Sequence, residues 1–188
     1  MAKDATELVV ASAGAVYVGP TSATLPTSPT ASLSNDWTEL GYVTEDGVAL
    51  QVEPQIEEFM SWQSRQPVRR ELTGQDITVT FSLQQWNSDS VILAFGGGSV
   101  TSSNGVYTYN FPGDDEAIDE KALCVEWSDG SRDWRAVFAR GNVTDSVETN
   151  LTRSELAVLP ITFKALEPAA GGAAAYIVTN DAAFTAAS

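Results

Sequence analysis

The sequence predicts a mainly β fold, a sandwich or barrel with one short α-helix and extended arms at both ends. Three observations carry this expectation. Apolar and polar residues alternate at period two through most of the chain, one stretch near residue 90 switches to helical spacing, and Pro, Thr, Ser, Ala and Gly crowd the two ends. With 188 residues, 43% of them hydrophobic, the chain can bury about 70% of the surface its unfolded form exposes. It therefore needs neither disulfide nor metal to hold a core, and its length favours one domain with arms.

Residues 8–18 read as a short extended segment, followed by a stretch punctuated by Pro20, Pro26 and Pro29. Proline removes ladder donors and fixes φ, so residues 1–36 are expected to form an extended N-terminal arm, ordered by docking on another subunit. A β domain is expected over residues 37–167. Residues 37–43 read as a strand ending in a hairpin turn at Glu45-Asp46-Gly47, where Asp-Gly is a strong turn signal. Val48, Leu50 and Val52 then alternate with Ala49, Gln51 and Glu53. A second strand places Ile77, Val79, Phe81 and Leu83 on one face, with Asp76, Thr78, Thr80 and Ser82 on the other. Residues 55–75, between them, read as a long loop holding Phe59, Trp62, Arg65, Arg69 and Arg70. A connection of about twenty residues is uncommon in a compact domain unless it serves a purpose.

Residues 87–95 are the helix candidate. Asn87 or Ser88 caps the start, Asp89 suits the first turn, Val91, Ile92 and Phe95 share a face, and Gly96-Gly97-Gly98 stops it. Beyond it, Val106 to Phe111 alternates. Leu123, Val125 and Trp127 are expected to pair across Asp129-Gly130 with Trp134, Ala136 and Phe138, and Leu159, Ile161 and Phe163 form a late strand. Residues 168–188 form an Ala/Gly-rich tail in which Tyr176-Ile177-Val178 alone is able to dock.

Charge and chemistry narrow the function. Ten basic against 25 acidic residues give −15, and nine acids but no base lie between Lys3 and Arg65. Affinity for duplex DNA comes mainly from cations neutralising phosphates, so nucleic-acid binding is disfavoured. Histidine is absent, which removes the commonest general base and the usual zinc ligand. The acidic run at Asp114-Asp115-Glu116 and Asp119-Glu120 lacks the spacing of a calcium loop. The triple glycine follows a helix, whereas phosphate cradles precede one. Cys124, flanked by Leu123 and Val125, reads as an inert buried thiol and excludes a disulfide framework. Sequons at Asn142 and Asn150 have no secretory signal before them. No catalytic residue, metal site or cofactor is expected, and no apolar run approaches the roughly 20 residues of a membrane span.

An ordered series of motifs is informative. Gly14-Ala15-Val16-Tyr17-Val18-Gly19-Pro20, Leu25-Pro26-Thr27 and Trp37-Thr38-Glu39-Leu40-Gly41-Tyr42-Val43 come first, with Thr44-Glu45-Asp46-Gly47-Val48 after them. Trp62-Gln63-Ser64, Val68-Arg69-Arg70, Ile77-Thr78-Val79-Thr80-Phe81 and Trp86-Asn87 continue the series. Together they resemble the major tail proteins of siphophages of actinobacterial hosts, over roughly residues 14–165. The resemblance implies a β-sandwich tail-tube fold and hexameric rings that share one inner barrel. The rings stack around a tape-measure protein, between a tip of distal tail proteins and a terminator. Some relatives append a C-terminal immunoglobulin-like domain; the Ala/Gly tail occupies that place here. The implied location is the virion tail, assembled in the host cytoplasm.

About four strands from each of six subunits, at about 4.8 Å spacing, give a ring about 37 Å across at the backbone, through which duplex DNA could pass. A carboxylate- and hydroxyl-lined lumen would let DNA slide without specific binding. Glu53, Asp76, Thr78, Thr80 and Ser82 are the candidate lumen residues. Phe59, Trp62, Arg65, Arg69 and Arg70 are the candidate inter-ring or inter-subunit contacts, since Trp and Arg are favoured interface anchors. The rival readings are the inner tube of a contractile tail or injection machine, and a carbohydrate-binding β-module with its tryptophans on one exposed face.

Overall fold

The computed structural model of the chain describes residues 5–113 and 117–184. The alternating stretches form ten strands among the described residues. These are β1 (Ala13–Pro20), β2 (Thr38–Glu39), β3 (Val43–Ser61), β4 (Ser64–Leu83), β5 (Ser99–Ser103), β6 (Val106–Asn110), β7 (Lys121–Asp129), β8 (Arg132–Val143), β9 (Leu159–Ala165) and β10 (Ala175–Thr179). One helix, α1 (Ser88–Ala94), lies between β4 and β5. An antiparallel sheet runs β2-β1-β7-β8-β9-β4-β3, with β10 also on β8, while β5 and β6 pair with each other. The sheet is not closed into a barrel and matches a sandwich, which decides between the two architectures the sequence left open.

The period-two pattern explains the core. Leu83, Phe81 and Val79 lie opposite Leu159, Ile161 and Phe163, so one face of β4 and β9 is a block of buried side chains. Val16 and Val18 of β1, Leu123 and Val125 of β7, and Ala136 and Phe138 of β8 complete the same core. Phe138 meets Phe163 edge-on at 6.3 Å between ring centroids. The helix covers the core with Leu93 and Ala94. Its first turn is closed by a capping box: the Ser90 amide donates to the Asn87 carboxamide (2.8 Å) and the Asn87 amide donates to the Ser90 hydroxyl (2.9 Å).

Three sequence expectations change. The Asp46-Gly47 signal marks a bulge rather than a hairpin turn. The register with β4 jumps from Val43–Leu83 to Val48–Phe81, and Gly47 sits at φ +72, a left-handed conformation that glycine adopts without steric cost. Residues 55–75 are not a loop. They form the outer part of a continuous antiparallel hairpin of a 19-residue and a 20-residue strand, turning at Trp62-Gln63.

The third change concerns residues 13–20 and the proline-rich stretch after them. The former are β1, paired along their length with β7. The latter lies on its own sheet rather than awaiting another subunit. Arg135, 3% exposed and ion-paired to Glu126, donates to the carbonyls of Ser28 and Ala31 (2.5 and 2.9 Å). The Trp37 indole donates to Thr24 O (3.1 Å) and the Tyr176 hydroxyl to Pro26 O (2.9 Å). Leu25, Leu33 and Trp37 thereby pack on Ala122, Cys124 and Val137, a second small core on the opposite face of the sheet.

Truncating the central ring of the main core tests this packing. Phe163→Ala should cost about 3–5 kcal/mol of unfolding free energy, read as a lower urea midpoint with an unchanged denaturant slope.

Candidate functional site: the projecting hairpin

From Glu53 outward, β3 and β4 pair with each other alone, since β4 meets β9 only between Thr78 and Leu83. At about 3.3 Å per residue the hairpin extends about 30 Å from the rest of the sheet. Cross-strand partners share a face, so the register sorts its side chains. One face pairs Gln51 with Thr78, Glu53 with Asp76 and Glu57 with Glu71; the other pairs Leu50 with Val79, Val52 with Ile77 and Ile56 with Leu72. The second face continues the apolar face of the core into solvent, where Val52, Ile56, Met60, Val68 and Leu72 are all more than half exposed.

All five candidate lumen residues fall on the polar face. Glu53, Asp76 and Thr80 are exposed, and Thr78 and Ser82 are half-buried. Thr80 lies opposite Ala49 on one side and Thr162 on the other. The Gln55 amide donates to Asp76 (2.9 Å). Lys164 stands beside Thr78 on this face, with its ammonium 3.8 Å from Asp145. Glu57 and Glu71, not singled out from sequence, extend the acidic face because the hairpin continues where a loop was expected. Their signal was the unbroken alternation of Glu53, Gln55 and Glu57.

The five candidate contact residues gather toward the hairpin tip but divide between its surfaces. Trp62 is at the turn and 99% exposed. Arg69 lies opposite Phe59 and bridges to Glu71 (3.4 Å), while Arg70 bridges to Glu58 on the apolar face (2.7 Å). These pairs are solvent-exposed and contribute little to stability. Arg65 is also exposed near the tip.

Both ends of the large sheet's strand order are open. The outer edge of β3 has no strand partner among the described residues, and β2 covers β1 only at Tyr17 and Val18. Both edges line a cleft of about 690 Å³, whose walls include Ala13, Ala15, Tyr42, Val48, Leu50 and Trp127.

The other candidates for chemistry have structural settings. Asp114, Asp115 and Glu116 lie outside the described residues. Asp119 bridges to Lys121 (3.1 Å), and Arg140 donates to both Glu120 oxygens (2.6 and 2.7 Å), hydrogen bonds that hold the Glu120 carboxyl below its usual range. Among the described residues, no group of three or more His, Cys, Asp or Glu side chains is placed to hold a metal. Trp127 and Trp134 stack across the β7–β8 ladder (6.2 Å, 3°), Trp37 is buried, and Trp86 donates to Ala157 O. The tryptophans therefore share no single exposed face. Burial, then the Glu126 charge, pushes the Cys124 thiol up to about 12 against a smaller opposing pull from Arg135.

Open sheet edges, an amphipathic hairpin and a two-sided β-sandwich define a structural β protein of the assembling kind. The family model described as phage tail tube protein matches residues 1–188, and the chain belongs to that family. It is a structural protein of the bacteriophage virion, a major tail protein of the tail tube. No curated protein matches the chain.

The Cys124 environment makes a direct prediction. The folded protein should be unreactive toward a thiol reagent at pH 8 and fully reactive once denatured. Because the folded thiol binds its proton more tightly than the unfolded one, this group's contribution to stability is complete below the ordinary thiol value of about 8.5. It is lost as pH rises from there toward 12. A pH series of urea melts reads that loss.

Proposed function

We propose that copies of this chain close its open edges in rings, and that the rings stack into a DNA conduit whose bore is lined by the acidic face of β3 and β4. The carrying observation is the placement of carboxylates directly opposite one another, Glu53 with Asp76 and Glu57 with Glu71. Directly opposed like charges destabilise a two-stranded hairpin, so this face carries a cost that DNA passage explains. Carboxylates repel phosphates and offer them no ion pair, and the neighbouring threonine and serine hydroxyls keep the wall wet without adding positive charge. The cations on this face each have a carboxylate beside them, Lys164 with Asp145 and, toward the tip, Arg69 with Glu71.

The family supports self-assembly into a tube. The resemblance to siphophage major tail proteins supports hexameric rings, assembly in the host cytoplasm, and contacts with tape-measure, terminator and distal tail proteins. The role is mechanical, with no catalytic step and no cofactor. Two stretches of the hairpin divide the work: the acidic stretch nearer the body faces the bore, and the tip with Phe59, Trp62, Arg65, Arg69 and Arg70 reaches a neighbouring copy. An uncovered sheet edge of this length invites pairing, and ring closure supplies it with a partner of the same sequence.

Three experiments bear on this reading. Tubes assembled from the Glu53→Lys/Asp76→Lys variant should retain duplex DNA at low ionic strength and release it steeply with added salt, whereas wild-type tubes should not retain it. An electron-microscopy structure of the assembled tube with Thr78 and Thr80 on the outer wall would refute the lumen assignment. Charge reversal at Arg69 and Arg70 should abolish tube growth while leaving circular dichroism and melting temperature of the monomer within the wild-type range; normal tubes from that variant would refute the contact role.

A further inference from the structure

The sheet register divides the molecule into two ends. The turn of the β3–β4 hairpin, the turn between β7 and β8, and the start of β1 all lie at one end. Leu83, Leu159, Lys121 and Val143 lie at the other. The helix begins five residues after Leu83, and β5 and β6 follow it. Their root is held at this far end. The Tyr109 hydroxyl donates to Gly97 O (2.7 Å), and Gly96 and Gly97 lie against Val143 and Asp119. Phe95, Tyr109 and Phe111 form an aromatic pedestal, with centroids 5.0–5.9 Å apart. Above it, Asn104 and Gly105, both at positive φ, close a tight hairpin.

This small hairpin has an unusual surface. Residues 90–113 contain no charged side chain, in a chain with 10 basic and 25 acidic residues. Val106, Tyr107 and Phe111 are 64%, 76% and 68% exposed. Two chains of net charge −15 approach most cheaply through surface that brings no carboxylates together. Around the hairpin the same end carries Asp89 in the first turn of the helix and Glu148 after β8, both exposed, beside Asp119, Glu120 and Asp145, which are bridged to Lys121, Arg140 and Lys164 of the same chain. The tip at the opposite end is its complement: exposed Met60, Trp62 and Val68 beside Arg65, Arg69 and Arg70.

We infer that the β5–β6 hairpin is the acceptor for the β3–β4 tip of a second copy of this chain, in a head-to-tail contact. Trp62, Met60 and Val68 of one copy pack on Val106, Tyr107 and Phe111 of the next, and the tip arginines meet Asp89 and Glu148. The pairing is heterologous, since donor and acceptor are different surfaces at opposite ends, so it propagates rather than stopping at a dimer. It rests on the stacked-tube reading and names the surface that receives the tip.

Site-directed cross-linking tests it. The Trp62→Cys/Tyr107→Cys double variant, treated with a short bismaleimide under assembly conditions, should give a ladder of covalent multimers. A mixture of the two single variants should yield a dimer whose linked peptides contain positions 62 and 107. The Trp62→Cys/Ser131→Cys variant, with both cysteines at the tip-bearing end, should give no such ladder. Both host residues of the tested pair are exposed, and native Cys124 is buried and silent. Tubes of the Trp62→Cys/Tyr107→Cys variant without a 62–107 link, or a ladder through position 131 instead, would overturn the acceptor assignment while leaving the tube intact. Wild-type protein that stays monomeric at high concentration would overturn the tube reading and this inference with it.

Discussion

Backbone hydrogen bonding at a sheet edge is the constraint on which the rest of this molecule depends. Every residue of an edge strand that points its N–H and C=O outward needs water or another strand. Natural sheets shorten such edges, charge them or cover them. Here β3 is 19 residues long, its outer edge is open, and the half beyond the body has solvent on both faces as well. Beyond Val43 and Val48, which pack against the core, this strand buries little on folding alone. The family to which the chain belongs is that of the phage tail tube, and in the proposed ring it is other copies of the chain that meet this cost.

The body of the subunit is arranged so that this exposed element projects from a firm platform. β1, β7 and β8 are covered on both faces, by the main core on one side and by the proline-rich strap on the other. Arg135 is central to the strap. It is almost fully buried, ion-paired to Glu126, and spends two of its donors on backbone carbonyls that no regular structure satisfies. Removing one partner of such a pair leaves the other charge buried and unpaired, which is costly. The free thiol of Cys124 sits in the same layer, protonated and shielded. Nothing in this layer is arranged for reaction; its contacts order a segment that has no ladder of its own.

Much of the body is legible in the sequence because burial and period coincide there. The alternation at Ile77, Val79, Phe81 and Leu83, the Trp127–Trp134 register across Asp129-Gly130, and the Asn87 cap all appear as written. The projecting hairpin is less legible, for two physical reasons. Its turn at Trp62-Gln63 has no glycine and no positive φ, so it carries none of the usual turn chemistry. Its strands mix arginines, glutamates and two prolines, Pro54 and Pro67, among their β formers. The Asp-Gly pair that does look like a turn has another strand to follow, and becomes a bulge. Asp76, Thr78, Thr80 and Ser82 are legible because the opposite face of β4 ends in buried Val79, Phe81 and Leu83, and Glu53 because it alternates with Leu50 and Val52; Glu57 and Glu71 are not, because both of their faces are exposed.

By itself the sequence determined the class of the fold, the strand residues of the main core from Val79 to Phe163, the helix and its cap, and the net acidity. These follow from local rules: side-chain period, turn and cap chemistry, and net charge. Only the tertiary structure decided that the proline-rich stretch straps its own sheet, that residues 55–75 are a hairpin with one acidic and one apolar face, and that a second, uncharged hairpin stands at the opposite end. Those outcomes depend on which strand lies beside which, a matter of long-range register. No local pattern encodes register where neither face of a strand is buried.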